Sequence, residues 1–404
     1  MIEVNGRRIT EYEYILREGN VPLKNNLIRR IVRNVLGVFR ERLPKILEDN
    51  YKEAGLKELA EKNSLEELFS RTMEEFLISG MAVHRKRIGI NDGKSGVWTE
   101  MVSPGSFFFN TDSRAPRGLD ISMRGQVHKV DFAAWCRAFV SSRDEFIKAR
   151  KLFEGGPGSI NVTEVWTKEM TGRYLVHDRK RALLRHVSDR EGKGLSMPKK
   201  WIMEEVWRYH FLSDDGVILA EGDSPYIHRS HPYVVKFYPY LDGEIHSFVG
   251  DMIDQQRYTN RLITLYDWVI RASAKGVLLL PEGAVEPQNL QNVADQWSRF
   301  NGVIVYKADA INPEPKQISG NLSNLGISDL LEIQLKMLED VSGVNGILQG
   351  DTSGGNVSGE LYNSQTANAL YSLSDFLETF KTFIRDSAQK DTELFLQRSG
   401  TRDF

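Results

Sequence analysis

Apolar positions between residues 251 and 396 recur at helical spacing in three blocks. In DMIDQQRYTNRLITLYDWVIRASAKG, the residues Tyr258, Leu262, Leu265, Val269 and Ala272 form an apolar seam. Beside it runs a polar seam of Arg257, Arg261, Thr264, Trp268, Arg271 and Lys275. This spacing predicts a helix over 251–275, stopped at Gly276 by a left-handed cap. A second helix is expected over about 327–342, with Leu330, Ile333, Met337 and Val341 on its apolar side. Its other side carries Asp329, Glu332, Lys336 and Glu339. A third, over 359–396, repeats Leu370, Leu373, Leu377, Phe380 and Ile384 at coiled-coil spacing. The segment GILQGDTSGGNVSG between the second and third helices is too polar and too glycine-rich to be core. Between the first two lies an α/β pattern. VLLLPEG reads as a strand ending at Pro281, NLQNVADQWSRF as a short helix with Leu290, Val293 and Trp297 on one face, and GVIVYK as a second strand.

Upstream, IEVNGRRI predicts a strand–turn–strand through Asn5-Gly6. NNLIRRIVRNVLGVFRERL is a basic amphipathic helix, with Ile28, Val32, Val35 and Phe39 on one side. Arg29, Arg30, Arg33, Arg40 and Arg42 ring the rest, and Pro44 is read as the start of the next segment. Such a helix suits a membrane surface or nucleic acid, but an ordinary surface or subunit-contact helix is the preferred reading. LEELFSRTMEEFLISG predicts a helix capped at Gly80 that feeds directly into a strand. Residues 81–135 are β-rich, with runs broken at Pro104, Gly105, Asp112 and Pro116. DFAAWCRAFVSSRDEFIKARKLFE returns to helix. Two hairpins follow, turning at Thr171-Gly172 and at Asp215-Gly216, with the charged stretch DRKRALLRHVSDREGKGLSMPKK between them read as an exposed loop.

Composition sets limits on partners. A chain of 404 residues that is 41% hydrophobic supports two or three domains. The net charge of −2 removes any global pull toward nucleic acid, so DNA contact has to come from local patches or geometry. Cys136 is the single cysteine, which excludes an intrachain disulfide framework and fits a reducing compartment. Its setting in FAAWCRAF reads as a buried helix face. No apolar leader and no apolar run of the ~20 residues that span a bilayer are present, so a soluble intracellular protein is expected.

Catalytic motifs do not assemble. Asp112 and Asp120 stand in turn contexts without a histidine or a third carboxylate at ligand spacing. His228 and His231 form an H-x-x-H in a loop, with no glutamate placed as a base, so zinc is not expected. GDTSGG is similar to the nucleophile loop of trypsin-like proteases, but Thr352 breaks the spacing and no histidine follows. Ser358 stands fourth between Gly355 and Gly359, not third as in a nucleophile elbow. No G-x-x-x-x-G-K-[ST] is present. Neither enzyme activity nor a cofactor is expected.

Two runs carry a resemblance. HPYVVKFYPYLDGEIHSFVGDMIDQQRYTNRLITLYDWVI and EDVSGVNGILQGDTSGGNVSGELYNSQTANAL resemble the portal proteins of tailed bacteriophages. That family places an extended segment with prolines before a D-x-Q-R-x-x-N helix, then a small clip domain and a second helix. An S-G-V-x-x-x-x-x-G turn and an S-G loop then open a long third helix. Here the elements read Asp254-Gln255-Gln256-Arg257 with Asn260, then Ser342-Gly343-Val344 to Gly350, then Ser358-Gly359. Each motif is weak alone, and their order over the stretch carries the specificity. The alternative is a non-portal structural or adaptor protein of a phage head–tail junction, which would lack that order.

The resemblance implies an α+β portal-like fold. Residues 1–250 would form a mixed helical and β wing, 251–275 the first stem helix, 276–322 the clip-like insert and 323–343 the second stem helix antiparallel to the first. Residues 344–358 would be the tunnel-type loop, and 359–404 the long wing/tunnel helix and C-terminus. It also implies a homo-oligomeric ring, a dodecamer, at the capsid vertex of the virion, assembled in the host cytoplasm. Double-stranded DNA would be packaged and ejected through its channel. Large terminase, the major capsid or scaffold protein and neck adaptors would be partners, with no membrane. Gln349, Asp351, Thr352, Ser353, Asn356 and Ser358 are the expected DNA-channel residues. Arg257, Arg261, Arg271, Lys275, Glu332 and Lys336 are expected to line the channel or to pair between subunits. Because portals usually continue into further wing residues and a helical crown, the end at Phe404 implies a truncated or minimal crown.

Overall fold

The computed structural model describes residues 2–4, 7–10, 23–91, 93–111, 120–154, 158–178, 183–188, 198–238, 243–275, 277–279, 316–318, 326–344 and 373–400, with a few isolated positions besides. The chain divides into two compact units. One comprises Met1–Leu27 with Met252–Val341, the other Ile28–Asp251 with Ser342–Phe404. In chain order the elements are β1 (Ile2–Val4), β2 (Arg7–Ile9), α1 (Leu27–Asn50), α2 (Ala54–Lys62), α3 (Leu65–Ser79), β3 (Met81–Asn91) and β4 (Lys94–Met101). Next come β5 (Phe107–Phe109), β6 (Met123–Val130), α4 (Phe132–Phe139), α5 (Arg143–Phe153), β7 (Ile160–Asp178), β8 (Leu183–Ser188), β9 (Lys199–Ser213) and β10 (Ile218–Asp223). The remainder are β11 (Tyr233–Phe237), β12 (Tyr240–Leu241), β13 (Glu244–Ile245), α6 (Ile253–Lys275), β14 (Val277–Leu279), β15 (Lys316–Ile318), α7 (Ile327–Ser342) and α8 (Ser374–Gly400). Helices and antiparallel strands occur in blocks, the α+β arrangement that the portal resemblance implies.

The larger unit is built on an aromatic core. Helix α1 buries Ile31, Val32, Val35, Leu36, Phe39 and Leu43, and leaves its arginines outside. Pro44 does not start a new segment, since α1 runs through it to Asn50. A proline inside a helix removes one ladder hydrogen bond and costs ~3 kcal/mol. Burial of Leu43 and Phe39 just before it offsets that, at ~1.5–3 kcal/mol per large apolar side chain. Helix α3 buries Phe69, Met73, Phe76 and Leu77 and ends, as expected, at Gly80. There φ is +76°, and a Cβ would collide with the backbone oxygen of His246, so both conformation and space call for glycine. The step sets β3 between β11 and β4, with Val235 opposite Val83 and Ile88 opposite Val97.

Helix α8 packs on β11 and β3. Its buried face holds Phe376, Phe380, Phe383, Ile384, Ala388 and Leu394. Phe380 meets Phe39 edge-on at 5.1 Å between ring centroids and Phe76 at 5.6 Å, while Phe383 lies 4.8 Å from His84. The coiled-coil repeat is therefore read correctly at Leu373, Phe380 and Ile384, but the seam faces aromatic rings and a sheet within the same chain. The predicted start of this helix, residues 359–370, lies outside the described residues.

The second sheet corrects the predicted hairpins. β7 does not turn at Thr171-Gly172; it continues for 19 residues. One edge pairs with β9 from Val162 opposite Ser213 to Val176 opposite Lys199. The other edge is shared by β6, along 160–167, and by β8, along 173–178. A glycine inside a strand marks a close approach, and a Cβ at Gly172 would press on the Trp201 indole at 2.7 Å. The charged stretch after β7 is likewise not all loop, because Leu183–Ser188 pairs as β8. The Asp215-Gly216 hairpin forms between β9 and β10. Helices α4 and α5 begin as capped ends. Asp131 accepts from the Ala134 N–H, and Ser142 and Glu145 form a capping box. Cys136 is half-buried beside Trp135, not fully enclosed.

In the smaller unit, β1 and β2 pair antiparallel with Val4 opposite Arg7, while the turn expected at Asn5-Gly6 lies outside the described residues. β14 and β15 pair antiparallel, Val277 opposite Ile318, joining the chain just after α6 to the chain just before α7. Among the described residues this pair forms its own two-stranded sheet, apart from the others.

Candidate functional site

Helix α6 holds the N-terminal segment with three polar side chains spaced four apart. Thr264 Oγ1 accepts from the backbone N–H of Leu23 at 3.2 Å, and Asn260 Oδ1 accepts from that of Asn25 at 3.1 Å. Gln256 Oε1 accepts from the N–H of Leu27 at 2.7 Å, and its Nε2 donates to the Asn25 carbonyl at 2.7 Å. Gln256 also donates to Asn260 Oδ1 at 3.2 Å, which fixes both amides in one orientation. The match has a geometric cause. Four helical residues rise ~6 Å, while two residues of an extended chain advance ~6.6 Å. Side chains at i, i+4 and i+8 can therefore meet alternate backbone N–H groups. Gln256 and Asn260 belong to the D-x-Q-R-x-x-N run, and their role is to strap residues 23–27 to α6. The sequence signal for this was the polar Gln-x-x-x-Asn-x-x-x-Thr spacing.

The inward side of α6 differs from the apolar seam seen in the sequence. Gln256, Thr259 and Leu262 are buried, whereas Tyr258, Leu265, Tyr266 and Ile270 are exposed. Thr259 satisfies its hydroxyl by donating to the Gln255 carbonyl at 2.8 Å. On α7, Leu338 is buried, but Leu330, Ile333, Met337 and Val341 are exposed, Met337 at 45%. Two helices with apolar stripes open to solvent contrast with α1, α3 and α8, whose stripes are covered.

The expected charged residues sit on these same helices. Arg257 is exposed and pairs with Asp254 one turn away at 3.3 Å. Such a pair contributes little in water. Arg261 is exposed on α6, as are Glu332 and Lys336 on α7. Arg271 and Lys275 fall in the last turns of α6. Gln349, Asp351, Thr352, Ser353, Asn356 and Ser358 lie outside the described residues.

The larger unit carries buried charges that sequence reasoning did not single out. Lys86 on β3 and Asp391 on α8 form an ion pair of 2.6 Å, with both side chains 0% exposed. Thr99 accepts from Lys86 at 2.8 Å, and Tyr51 donates to Asp391 at 2.9 Å. Burial lowers the Lys86 pKa despite Asp391, and burial together with the Asp391 charge raises that of Tyr51. Glu164 on β7 receives Arg85 at 2.9 Å, His128 at 2.7 Å and Trp166 at 2.7 Å. Burial raises its pKa, but these donors outweigh burial and hold it below the usual range. Lys390 donates to the carbonyls of His231 and Tyr233 at 2.6 and 2.9 Å, and burial with the nearby Arg124 brings its pKa down to about 7. His231 and His228 use Nδ1 to accept from Tyr233 and Ser230 N–H groups. Among the described residues, no group of three or more His, Cys, Asp or Glu has metal-binding geometry, and no helix is long and apolar enough to cross a membrane.

Comparison with known proteins identifies one family. A search of curated proteins returned no match. The family model of the phage P22-like portal protein, however, matches residues 10–395. That span takes in the strap, both exposed helices, the β-rich region and the buried face of α8. The chain belongs to the P22-like phage portal protein family.

Proposed function

We propose that this chain forms, in twelve copies, the channel at a phage capsid vertex through which double-stranded DNA is packaged and later ejected. Family membership implies a structural portal role, a homo-oligomeric ring and a place at the capsid vertex of the virion. The proposal extends this to the DNA channel, and to docking of large terminase through the 276–322 insert and of neck adaptors. The capsid or scaffold protein meets the ring from the host-cytoplasm stage of assembly onward, and the chain itself performs no catalysis.

The observation that carries the reading is the exposed apolar stripe on α6 and α7. Tyr258, Leu265 and Ile270, with Leu330, Ile333 and Met337, offer the water-excluding contacts that a subunit interface needs. Repeated head-to-tail, such contacts close into a ring when the rotation fits. The net charge of −2 suits a conduit, since many phosphate contacts would turn a channel into a salt-dependent clamp. The loop from Gly346 to Ser358 is proposed to touch the duplex. Its Gln349, Thr352, Ser353, Asn356 and Ser358 offer neutral hydrogen bonds to phosphate oxygens, which position DNA without reading bases. Arg261 and Arg271 are proposed to pair with acidic groups such as Glu332 of a neighbouring copy. Electron microscopy of the purified protein tests the reading. Rings with an open axial channel are expected, and a solely monomeric protein defeats it.

A further inference from the structure

A cavity of about 270 Å³ in the larger unit holds more positive charge than its own residues neutralise. It is lined by Arg124 from β6, Lys168 from β7, Trp207 from β9 and His231, with Phe107 and Phe109 at its apolar side. Arg124 is only 8% exposed. Its Nη2 donates to the Ile121 carbonyl at 3.1 Å, and its buried Nε has no hydrogen-bond partner among the described residues. The guanidinium lies over the Trp207 ring at 5.1 Å, and the Lys168 ammonium approaches the same ring at 5.6 Å. Lys168 has only a loose contact with the exposed Glu205, at 3.5 Å. The cavity's other ion pair is closed on itself, since Lys236 meets Asp386 at 2.7 Å.

A buried guanidinium with an unpaired donor is costly unless something with negative charge completes it. Burial without a facing carboxylate brings the Arg124 pKa down to about 10. Arginine's planar fork fits an oxyanion, and a second cation with an aromatic wall forms the rest of such a site. We propose that this cavity binds a small oxyanion, a carboxylate or phosphate group seated on Arg124 and Lys168 against Trp207. The group is either a free ion or the acidic side chain of a bound peptide, and the two are separable by experiment. The inference does not depend on the DNA-channel reading.

The test is thermal unfolding of the full chain in acetate, inorganic phosphate and an aspartate-rich hexapeptide, at ionic strength held constant with chloride. A ligand of the folded state raises Tm in a saturable way. Saturable stabilisation by acetate or phosphate is expected, lost in Arg124→Gln and weakened at least several-fold in Lys168→Gln. Lys168 is partly exposed, so this second variant decides the matter if Arg124→Gln does not fold. Tighter binding of the hexapeptide than of acetate assigns the site to a protein side chain, and equal or weaker binding assigns it to a free ion. Absence of saturable stabilisation, or stabilisation unchanged in Lys168→Gln, overturns the proposal.

Discussion

The Lys86 ammonium and the Asp391 carboxylate lie 2.6 Å apart with neither side chain exposed, although 305 residues separate them in sequence. The pair fixes the last helix against the central strand of the three-stranded sheet. Removing one partner leaves the other charge buried and alone. Asp391→Ala is expected to destabilise the larger unit by ~3–5 kcal/mol, read from chemical denaturation. The double variant Lys86→Met/Asp391→Leu should recover most of that loss, because it leaves no buried charge. A double variant as unstable as the single one would show that packing at this point matters more than charge.

Gln256 grips the N-terminal segment at both the Asn25 carbonyl and the Leu27 N–H. Gln256→Ala is expected to cost ~1–3 kcal/mol locally, since two backbone groups lose their partner. Hydrogen exchange at Leu23, Asn25 and Leu27 should accelerate, while exchange in β7 and β9 stays as it was. Unchanged exchange at those three positions would exclude the strap.

Lys390 has a folded pKa near 7, lowered by burial and by Arg124 and Lys86, and partly restored by Glu393 and Asp386. The unfolded chain keeps this lysine protonated up to ~10.4. Between these values the unfolded state binds the additional proton, so stability from this group rises as pH increases from about 7 toward 10. Lys390→Met is expected to flatten that rise in urea midpoints measured across the range. A slope identical to that of the parent chain would rule the group out.

Leu265 and Met337 are exposed on α6 and α7. Leu265→Glu and Met337→Glu should leave circular dichroism and Tm of the isolated subunit almost unchanged, because neither side chain is buried in it. In a ring interface each introduces a desolvated charge. Native mass spectrometry should then show fewer rings than for the parent chain, and an undiminished ring yield would place the interface elsewhere. Reversing Arg261 and Arg271 together is expected to weaken ring formation more at low salt than at high salt, since salt screens the lost attraction.

Deletion of Thr352 to Asn356 shortens the glycine-rich segment proposed to meet DNA, without removing residues of α7 or α8. Rings are expected to form normally, while DNA packaging or retention falls in a packaging assay. Full packaging by the deletion variant would remove the loop from the DNA path.

Helical and strand periodicity was legible because burial on one face repeats at the period of the local backbone. That is why α1 and α3 are legible from their residues, while α6 and α7 show the same apolar spacing with much of it exposed. The α+β portal-like class came from the resemblance of the ordered motifs to the portal family. Local signals failed where distant partners intervened. Thr171-Gly172 has the chemistry of a turn, yet the glycine serves to admit Trp201 from the neighbouring strand. Pro44 has the chemistry of a helix start, yet the helix passes through it because Leu43 and Phe39 are anchored in the core. The seam of α6 gave its apolar positions but not which were covered, and the fold buries Gln256 and Thr259 while exposing Tyr258 and Leu265. Lys86, Asp391 and Arg124 stand in no motif, and their sequence neighbours give no sign of burial. Only tertiary structure brings the first two together and closes a cavity around the third, because the cost of a buried charge depends on neighbours that sequence spacing does not encode.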